Sequence, residues 1–351
     1  MHPQSLAASF RWNQQMSRFR MGVVGIDHRH IYTMVQHMQH AGGELVGWWT
    51  DGAPGTLDGF VRRFVEDGRV HDADQLFDNS QIDIILTAAV PSDRPAIAIR
   101  AMQSGKDVLS DKPGCLTNED LVNLRTTQMA TQRIWSVDFS ERFEVPAVTL
   151  ASELVAAGEI GQVIQTLGIG PHRLNAPTRP DWFWDRTKNG GILADIGSHQ
   201  IDQFLHLTDS TDAEIVSASV DCILSPPFQD FGQMTLKSGQ AHGYVRLDWF
   251  TPDALPTWGD GRLFVLGTKG SIELRKYIDI SGPSGTDHVL LVNGNRPERF
   301  DASNAGLPFF DRLANDILER TETAMPQAHP CLLYTSPSPR DQRGSRMPSS
   351  A

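Results

Sequence analysis

Four polar residues in the segment GGILADIGSHQIDQFLHL, Asp195, His199, Asp202 and His206, follow one another at steps of four, three and four. On a helix this spacing puts them on one narrow face and turns Ile201, Phe204 and Leu205 to the other side. A histidine one turn from an aspartate is a suitable proton acceptor, because its pKa lies near working pH. Gly190 and Gly191 just ahead of the segment let the backbone approach a ligand closely. The same face also reads as the polar outside of an amphipathic helix. A metal cluster is a third reading, without an HExxH-type signature. Lys112 follows the strand-like DVLS and is stiffened by Pro113. Ligands of open α/β sheets bind beyond the carboxyl ends of strands, where an ammonium group can stabilise a developing alkoxide. Alone, Lys112 reads equally as a solvated surface lysine.

A second set lies in the turn GIDHRH. A dinucleotide fold uses glycines after its first strand so that backbone N–H groups reach the pyrophosphate at a helix N-terminus. Here Gly25 holds the first glycine position, while Asp27 and His30 stand at the second and third. Asp51, at the end of the next strand, can bind a ribose 2′-OH and would repel a 2′-phosphate, which favours NAD over NADP; it also reads as a turn residue before Gly52. His28 and His30 form a strand-end His-x-His pair, as in metal-dependent barrel hydrolases. The acid of that pattern sits one residue further away than Asp27, and Asp51 and Lys112 have no histidine company at later strand ends. No metal is therefore expected.

The elements that must carry these residues are legible from periodicity. Residues 21–26 and 83–90 are apolar runs that suit buried parallel strands, with 45–50, 107–110 and 134–139 as further strands. Ile31, Met34, Val35 and Met38 repeat at helical spacing, a helix over 95–103 closes at Gly105, and Thr117 with Asp120 forms a capping box. Alternating strands and helices predict a doubly wound parallel sheet with both faces covered. After Phe139 a helix over 145–157 gives way to short alternating segments at 215–220, 243–250 and 263–266, which predict a mostly antiparallel sheet with one face covered. The expected units are 21–139, 140–330 and a disordered, non-native tail over 331–351 rich in Ser, Pro and Arg. Residues 1–20 carry three arginines and no acid, loosely as a transit peptide does. The plainer reading is an over-extended start, with Met16 or Met21 as the beginning.

The chain has 351 residues, enough for two domains. Its net charge of -11 disfavours a nucleic-acid partner, which needs clustered Lys and Arg. No apolar run approaches the ~20 residues that cross a bilayer. The three cysteines suit a reducing compartment, the cytoplasm.

Taken together the motifs resemble the Gfo/Idh/MocA family, of the glucose-fructose oxidoreductase and inositol dehydrogenase type. Asp111-Lys112-Pro113 stands for its Glu-Lys-Pro, and Gly190 to Asp202 for its Gly-Gly-Gly-x-Leu-x-Asp-x-Gly-x-His-x-x-Asp, with Asn189 replacing the leading glycine. Gly105-Lys106-Asp107-Val108, Arg142-Phe143 and Gly267-Thr268-Lys269-Gly270 are further landmarks. The resemblance covers roughly residues 21–330. It implies a Rossmann domain, and an α+β domain that commonly makes the contact of a homo-oligomer. It also implies hydride transfer between NAD, less readily NADP, and a sugar or cyclitol. His199 would be the acid/base, Asp195 would orient the hydroxyl and His199, and Lys112 would stabilise the alkoxide. The cofactor would lie against Gly25, Asp27, His28, Asp51, Pro91, Lys112 and Pro113. For substrate the expectation is Arg142, Trp182 and Asp202, with Trp184 and Trp258 as stacking surfaces and Arg173 or Arg246 for a carboxylate. Two departures stand out: the glycine-poor turn, and Arg94 where a histidine is common. A non-catalytic dinucleotide sensor remains a rival, and a metal-dependent hydrolase a weaker one.

Overall fold

The computed structural model describes residues 18–64, 68–224 and 226–332. The expectations for residues 1–17 and 333–351 lie outside these. The first unit runs β1 (Phe19–Val24), α1 (Ile31–His40), β2 (Gly43–Trp49), α2 (Leu57–Arg63), α3 (Asp74–Phe77), β3 (Ile84–Thr87), α4 (Arg94–Gln103), β4 (Asp107–Asp111), α5 (Asn118–Thr131) and β5 (Trp135–Asp138). Its five strands are parallel, in the order β2-β1-β3-β4-β5. Every residue of β3, β4 and β5 is buried, as expected of strands covered on both faces. The chain leaves β1 for one side of the sheet and returns to β3 on the other. The crevice of a doubly wound sheet therefore lies at the turns after β1 and β3. The helical repeat read in the sequence is the buried face of α1. Thr117 caps α5, accepting from the Asp120 amide at 3.0 Å and donating to its carboxylate at 2.7 Å.

The second unit contains α6 (Ser140–Phe143), α7 (Pro146–Ala156), β6 (Val163–Pro171), α8 (Asp181–Trp184), α9 (Arg186–Asn189), α10 (Ile192–Asp195), α11 (Gly197–Leu207), β7 (Glu214–Asp221), β8 (Phe231–Ser238), β9 (Ala241–Asp248), β10 (Arg262–Gly267), β11 (Gly270–Arg275), β12 (His288–Asn293) and β13 (Pro297–Asp301). Its strands form an eight-stranded sheet ordered β13-β12-β11-β10-β6-β9-β8-β7, antiparallel except for β6 beside β9. One face carries the core: Leu263, Val265, Ile272, Leu274, Val289 and Leu291 pack with Val148 and Ala151 of α7.

Two boundaries differ from the sequence reading. β1 starts at Phe19, two residues before Met21, because Phe19 is buried and pairs with Gly43. The chain also returns to the first unit after β13. In α12 (Pro308–Glu319) Phe310 stacks on His37 of α1 at 4.5 Å and Asn315 accepts from Arg18 at 2.5 Å. Arg320 then pairs with Asp107 of β4 at 2.6 Å. The stretch before the last helix, α13 (His329–Leu332), thus packs with the parallel sheet. Among the described residues no helix is long and apolar enough to cross a membrane.

Candidate active site

The turn after β1 is stitched to both neighbours. The Gly25 amide donates to Trp49 O at 2.8 Å, its carbonyl accepts from Ala88 N at 3.0 Å, and the His28 amide donates to Ala88 O at 2.8 Å. Gly25 has φ +81°, and a Cβ there would lie 2.4 Å from the Ala89 Cβ, so the position requires glycine. α1 starts without a side-chain cap, which leaves its first turn open to an anion. Asp51 stands exposed just past β2, and Pro91 is buried in the turn between β3 and α4. These features fit a dinucleotide held at the switch point. Asp27 is half-buried, and burial above all raises its carboxyl pKa.

His28 and His30 use the space that glycines would leave. Their Nδ1 atoms lie 2.7 and 2.8 Å from the two oxygens of Asp111, with ring centroids 4.2 Å apart. Asp111 is fully buried. Burial would raise its carboxyl pKa, but Arg94 and the two imidazoles outweigh that and hold it well below the carboxylate range. Burial first, then His30, pushes His28 down to about 4. Arg94 is a buried clamp. It donates to Asp111 Oδ2 at 2.8 Å and to the carbonyls of Ala89, Asp111, Lys112 and Pro113, tying the turn after β3 to the turn that presents Lys112.

Lys112, 5% exposed, donates to Asp195 Oδ1 at 2.7 Å and to Asp195 O at 3.2 Å. Burial would raise the Asp195 carboxyl, but Lys112 outweighs it and keeps the group ionised. His199 is 2% exposed, edge-on to Phe139 at 6.4 Å, and its Nδ1 has no hydrogen-bond partner. Burial pushes the imidazole down to about 3; Glu141 counters this, and Lys112 reinforces it. The expected pKa near working pH is therefore corrected: the ring is neutral but weakly basic, because it is out of water.

The sequence reading missed the support behind His199. Glu141 Oε2 accepts from Lys276 at 2.9 Å and from Gln200 at 2.8 Å, while Lys276 also donates to Gln203 Oε1 at 2.8 Å. Glu141 Oε1 is buried and unpartnered, as is His199 Nδ1. His172, its ring tilted against Trp258 at 4.3 Å, is pushed down to about 4, chiefly by burial. Glu141 adjoins the Arg142 landmark in sequence. Lys276 lies 135 residues away from Glu141, so no local pattern links them.

Several expected placements change. Asp195 ends α10 and His199 lies in α11, so the four polar residues do not share one helix, and nearly all of α11 is buried. Asp202 makes a bidentate pair with Arg142, both bonds 2.7 Å, and accepts from His329 at 2.8 Å; His206 bonds Ser152 at 2.9 Å. Arg142, His206 and His329 line a separate cavity of about 560 Å³ that Lys112, Asp195 and His199 do not reach. Arg142 and Asp202 thus hold each other and are not brought to the Lys112 centre. Gly190 and Gly191 make room for Leu116 and Gln229, which an added Cβ would meet at 2.6 and 2.2 Å, and Gly191 also lines a pocket with Asp195. Trp182 does reach the turn after β1, 6.4 Å from the His28 ring. Trp184 lies by Phe228 at 4.9 Å, in a pocket that Asp195 also lines. Arg173 is spent on the carbonyls of Pro252 and Leu255, and Arg246 pairs with Asp248 at 3.4 Å.

Known proteins give the same outline. A profile of the oxidoreductase family with an NAD-binding Rossmann fold matches residues 19–139, and one of the GFO/IDH/MocA C-terminal domain matches residues 148–273. A scyllo-inositol 2-dehydrogenase (NAD(+)) of Bacillus subtilis is 28% identical over 232 residues, 63% of this chain and 64% of its own. A levoglucosan dehydrogenase of Pseudarthrobacter phenanthrenivorans is 28% identical over 150 residues, 42% of this chain and 38% of its own. The matched stretches thus span less than two thirds of these relatives. A crystal structure from Erwinia carotovora atroseptica is 42% identical, with a TM-score of 0.86 over 90% of this chain and 95% of that one. Levoglucosan dehydrogenase in complex with NADH and levoglucosan shares the fold at 18% identity, with a TM-score of 0.73 over 90% of this chain and 94% of that one.

Proposed function

The chain belongs to the Gfo/Idh/MocA family of oxidoreductases, and from that premise we propose that it is a dehydrogenase exchanging a hydride between NAD and a hydroxyl-bearing carbon of a sugar or cyclitol. The observation that carries this reading is the contact of Lys112 with Asp195 at 2.7 Å beyond the end of β4, with His199 buried one turn further on. When bound, the dinucleotide supplies the hydride acceptor. Gly25, Asp27, Pro91 and the Lys112-Pro113 turn would hold it with the His28 ring packed against it, and Asp51 would receive the ribose hydroxyl. Lys112 donates to the substrate oxygen as negative charge grows there, while Asp195 orients the hydroxyl. His199 takes the proton. Lys112 makes the hydroxyl more acidic, which offsets the low basicity of the buried ring, and the Glu141 carboxylate stabilises the imidazolium that forms. Burial keeps water from the same proton. The dehydrogenases among the relatives act on substrates of this class by name.

The test is a turnover screen of sugars, cyclitols, aldonates and their keto forms with NAD and NADP, following nicotinamide absorbance. A polyol substrate is expected to reduce NAD. Calorimetric titration is expected to show NAD at least about tenfold tighter than NADP, ~1.4 kcal/mol, because Asp51 repels a 2′-phosphate. Equal affinities would remove that role, and stoichiometric dinucleotide binding without turnover of any polyol would favour the sensor.

A further inference from the structure

Among the described residues, His28, His30 and Asp111 form the one group of three His, Cys, Asp or Glu side chains close enough to share a metal ion, with one ligand atom of each within 4.8 Å of the others, and the two imidazole ring centroids lie 4.2 Å apart. The hydrogen bonds decide which atoms are free. Asp111, paired with the buried Arg94, is a carboxylate and can only accept, so each imidazole bonds to it through Nδ1–H. In its neutral form each ring then carries its lone pair on Nε2. A pyrophosphate, itself all acceptors, finds no donor in those two atoms, and a cation does. A shared carboxylate behind the imidazoles is the outer shell that fixes ring tautomer and orientation in metal sites. Exposure agrees: Asp111 is closed off at 0%, whereas the His28 and His30 side chains are 21% and 25% open. The charge of Lys112 does not veto a cation here, since Asp195 compensates it at 2.7 Å.

We propose that His28 and His30 bind one divalent transition-metal ion of the zinc class through their Nε2 atoms, with Asp111 as the shared outer-shell carboxylate, and that this ion and the dinucleotide exclude each other. Water completes the coordination. The exclusion follows from position, because both rings project from the turn between β1 and α1 on which the pyrophosphate would lie. That half rests on the cofactor placement proposed above; the metal binding does not.

The experiment titrates chelator-treated full-length protein with zinc chloride by calorimetry, and repeats the titration with cobalt chloride while recording visible absorbance. One equivalent is expected to bind, with affinity at least tenfold weaker in each of His28→Ala and His30→Gln. Asp111→Asn, which leaves one Nδ1–H without an acceptor, is expected to lose ten- to a hundredfold. Circular dichroism of each variant guards against misfolding, and cobalt binding to folded His30→Gln at the parent's strength overturns the site. NADH titrated at rising zinc is expected to weaken in proportion. Unchanged NADH affinity overturns the exclusion while leaving the metal site standing. Absence of NADH binding even to metal-free protein overturns the cofactor placement instead.

Discussion

A buried imidazole that must accept a proton is caught between two demands: exclusion of water protects the proton path, and the same exclusion weakens the base. At His199 burial wins, to about 3, and Glu141 is the anion that opposes it. His199→Ala is expected to lower turnover by on the order of 100-fold with cofactor affinity little changed, the usual scale of general-base loss. His206→Ala is expected to stay near the parent, because His206 bonds Ser152 beside a separate cavity. Single-turnover reduction of NAD compares the two, and equal damage would replace the one-acceptor mechanism with a longer relay. Glu141→Gln alone would strand the buried Lys276 charge, at a cost of ~3–5 kcal/mol. The pair Glu141→Gln with Lys276→Met is therefore expected to regain stability in urea while turnover stays low; recovery of both would reduce Glu141 to a structural role. The pH dependence has a definite sign. His199 has a folded pKa of about 3 against an unfolded one of 6.5, so below pH 6.5 the unfolded chain binds the extra proton. Stability is whole above pH 6.5 and falls on acidification by about 1.4 kcal/mol per pH unit for this group until about pH 3. His28 and His172 act in the same direction down to about 4. Urea midpoints that rise between pH 6.5 and 5 would contradict this.

At the scale of elements, the readable parts are those whose partners lie nearby in the chain. The apolar runs of β1, β3 and β4, the buried stripe of α1 and the Thr117 cap of α5 are each decided within a few residues, and the structure has them. The family motifs singled out Lys112, Asp195 and His199 because their spacing survives in the sequence, and the first two meet at 2.7 Å. What was illegible is non-local: Lys276 behind Glu141, Arg94 gathering the turn around Lys112, and α12 returning to α1 and β4. The packing of Gly190 and Gly191 was illegible for the same reason, since Leu116 and Gln229 reach them from distant segments. Gly25 shows how a local rule and a tertiary contact combine. Gly25→Ala meets both a positive φ and the Ala89 Cβ, whereas Gly105→Ala meets a positive φ of +77° and open space. Gly105→Ala is expected to cost only ~1–2 kcal/mol, from backbone strain. Gly25→Ala is expected to cost more and to weaken NAD at least tenfold by shifting the turn after β1. Calorimetry and urea unfolding of both variants check this, and equal costs would mean that the contact with Ala89 yields freely.

For the whole molecule, the eight-stranded sheet has one face packed and one face bare. On the bare face of β10, Phe264 and Leu266 are 36% and 43% exposed, and Val292 of β12 is 52% exposed. Phe264 stands in register with the half-buried Leu167 of β6, while Ser271 of β11 stands between Leu266 and Val292. An exposed apolar patch with a polar surround of this kind commonly marks an interaction surface. A second copy of the chain can cover it symmetrically, because a two-fold axis lying in the interface, parallel to the sheet's open face, sets each patch against itself. Electrostatics opposes that pairing, since each chain carries a net charge of -11, and salt should relieve the repulsion. The parent is therefore expected to sediment as a dimer that tightens with added salt, while Phe264→Glu combined with Leu266→Lys sediments as a monomer. Turnover per chain should survive the change, because Lys112, Asp195, His199 and Glu141 are gathered from one chain away from that face. A double variant that still sediments with the parent would show that the apolar face is not the seam. One that becomes monomeric and loses turnover would show that the partner contributes to the site.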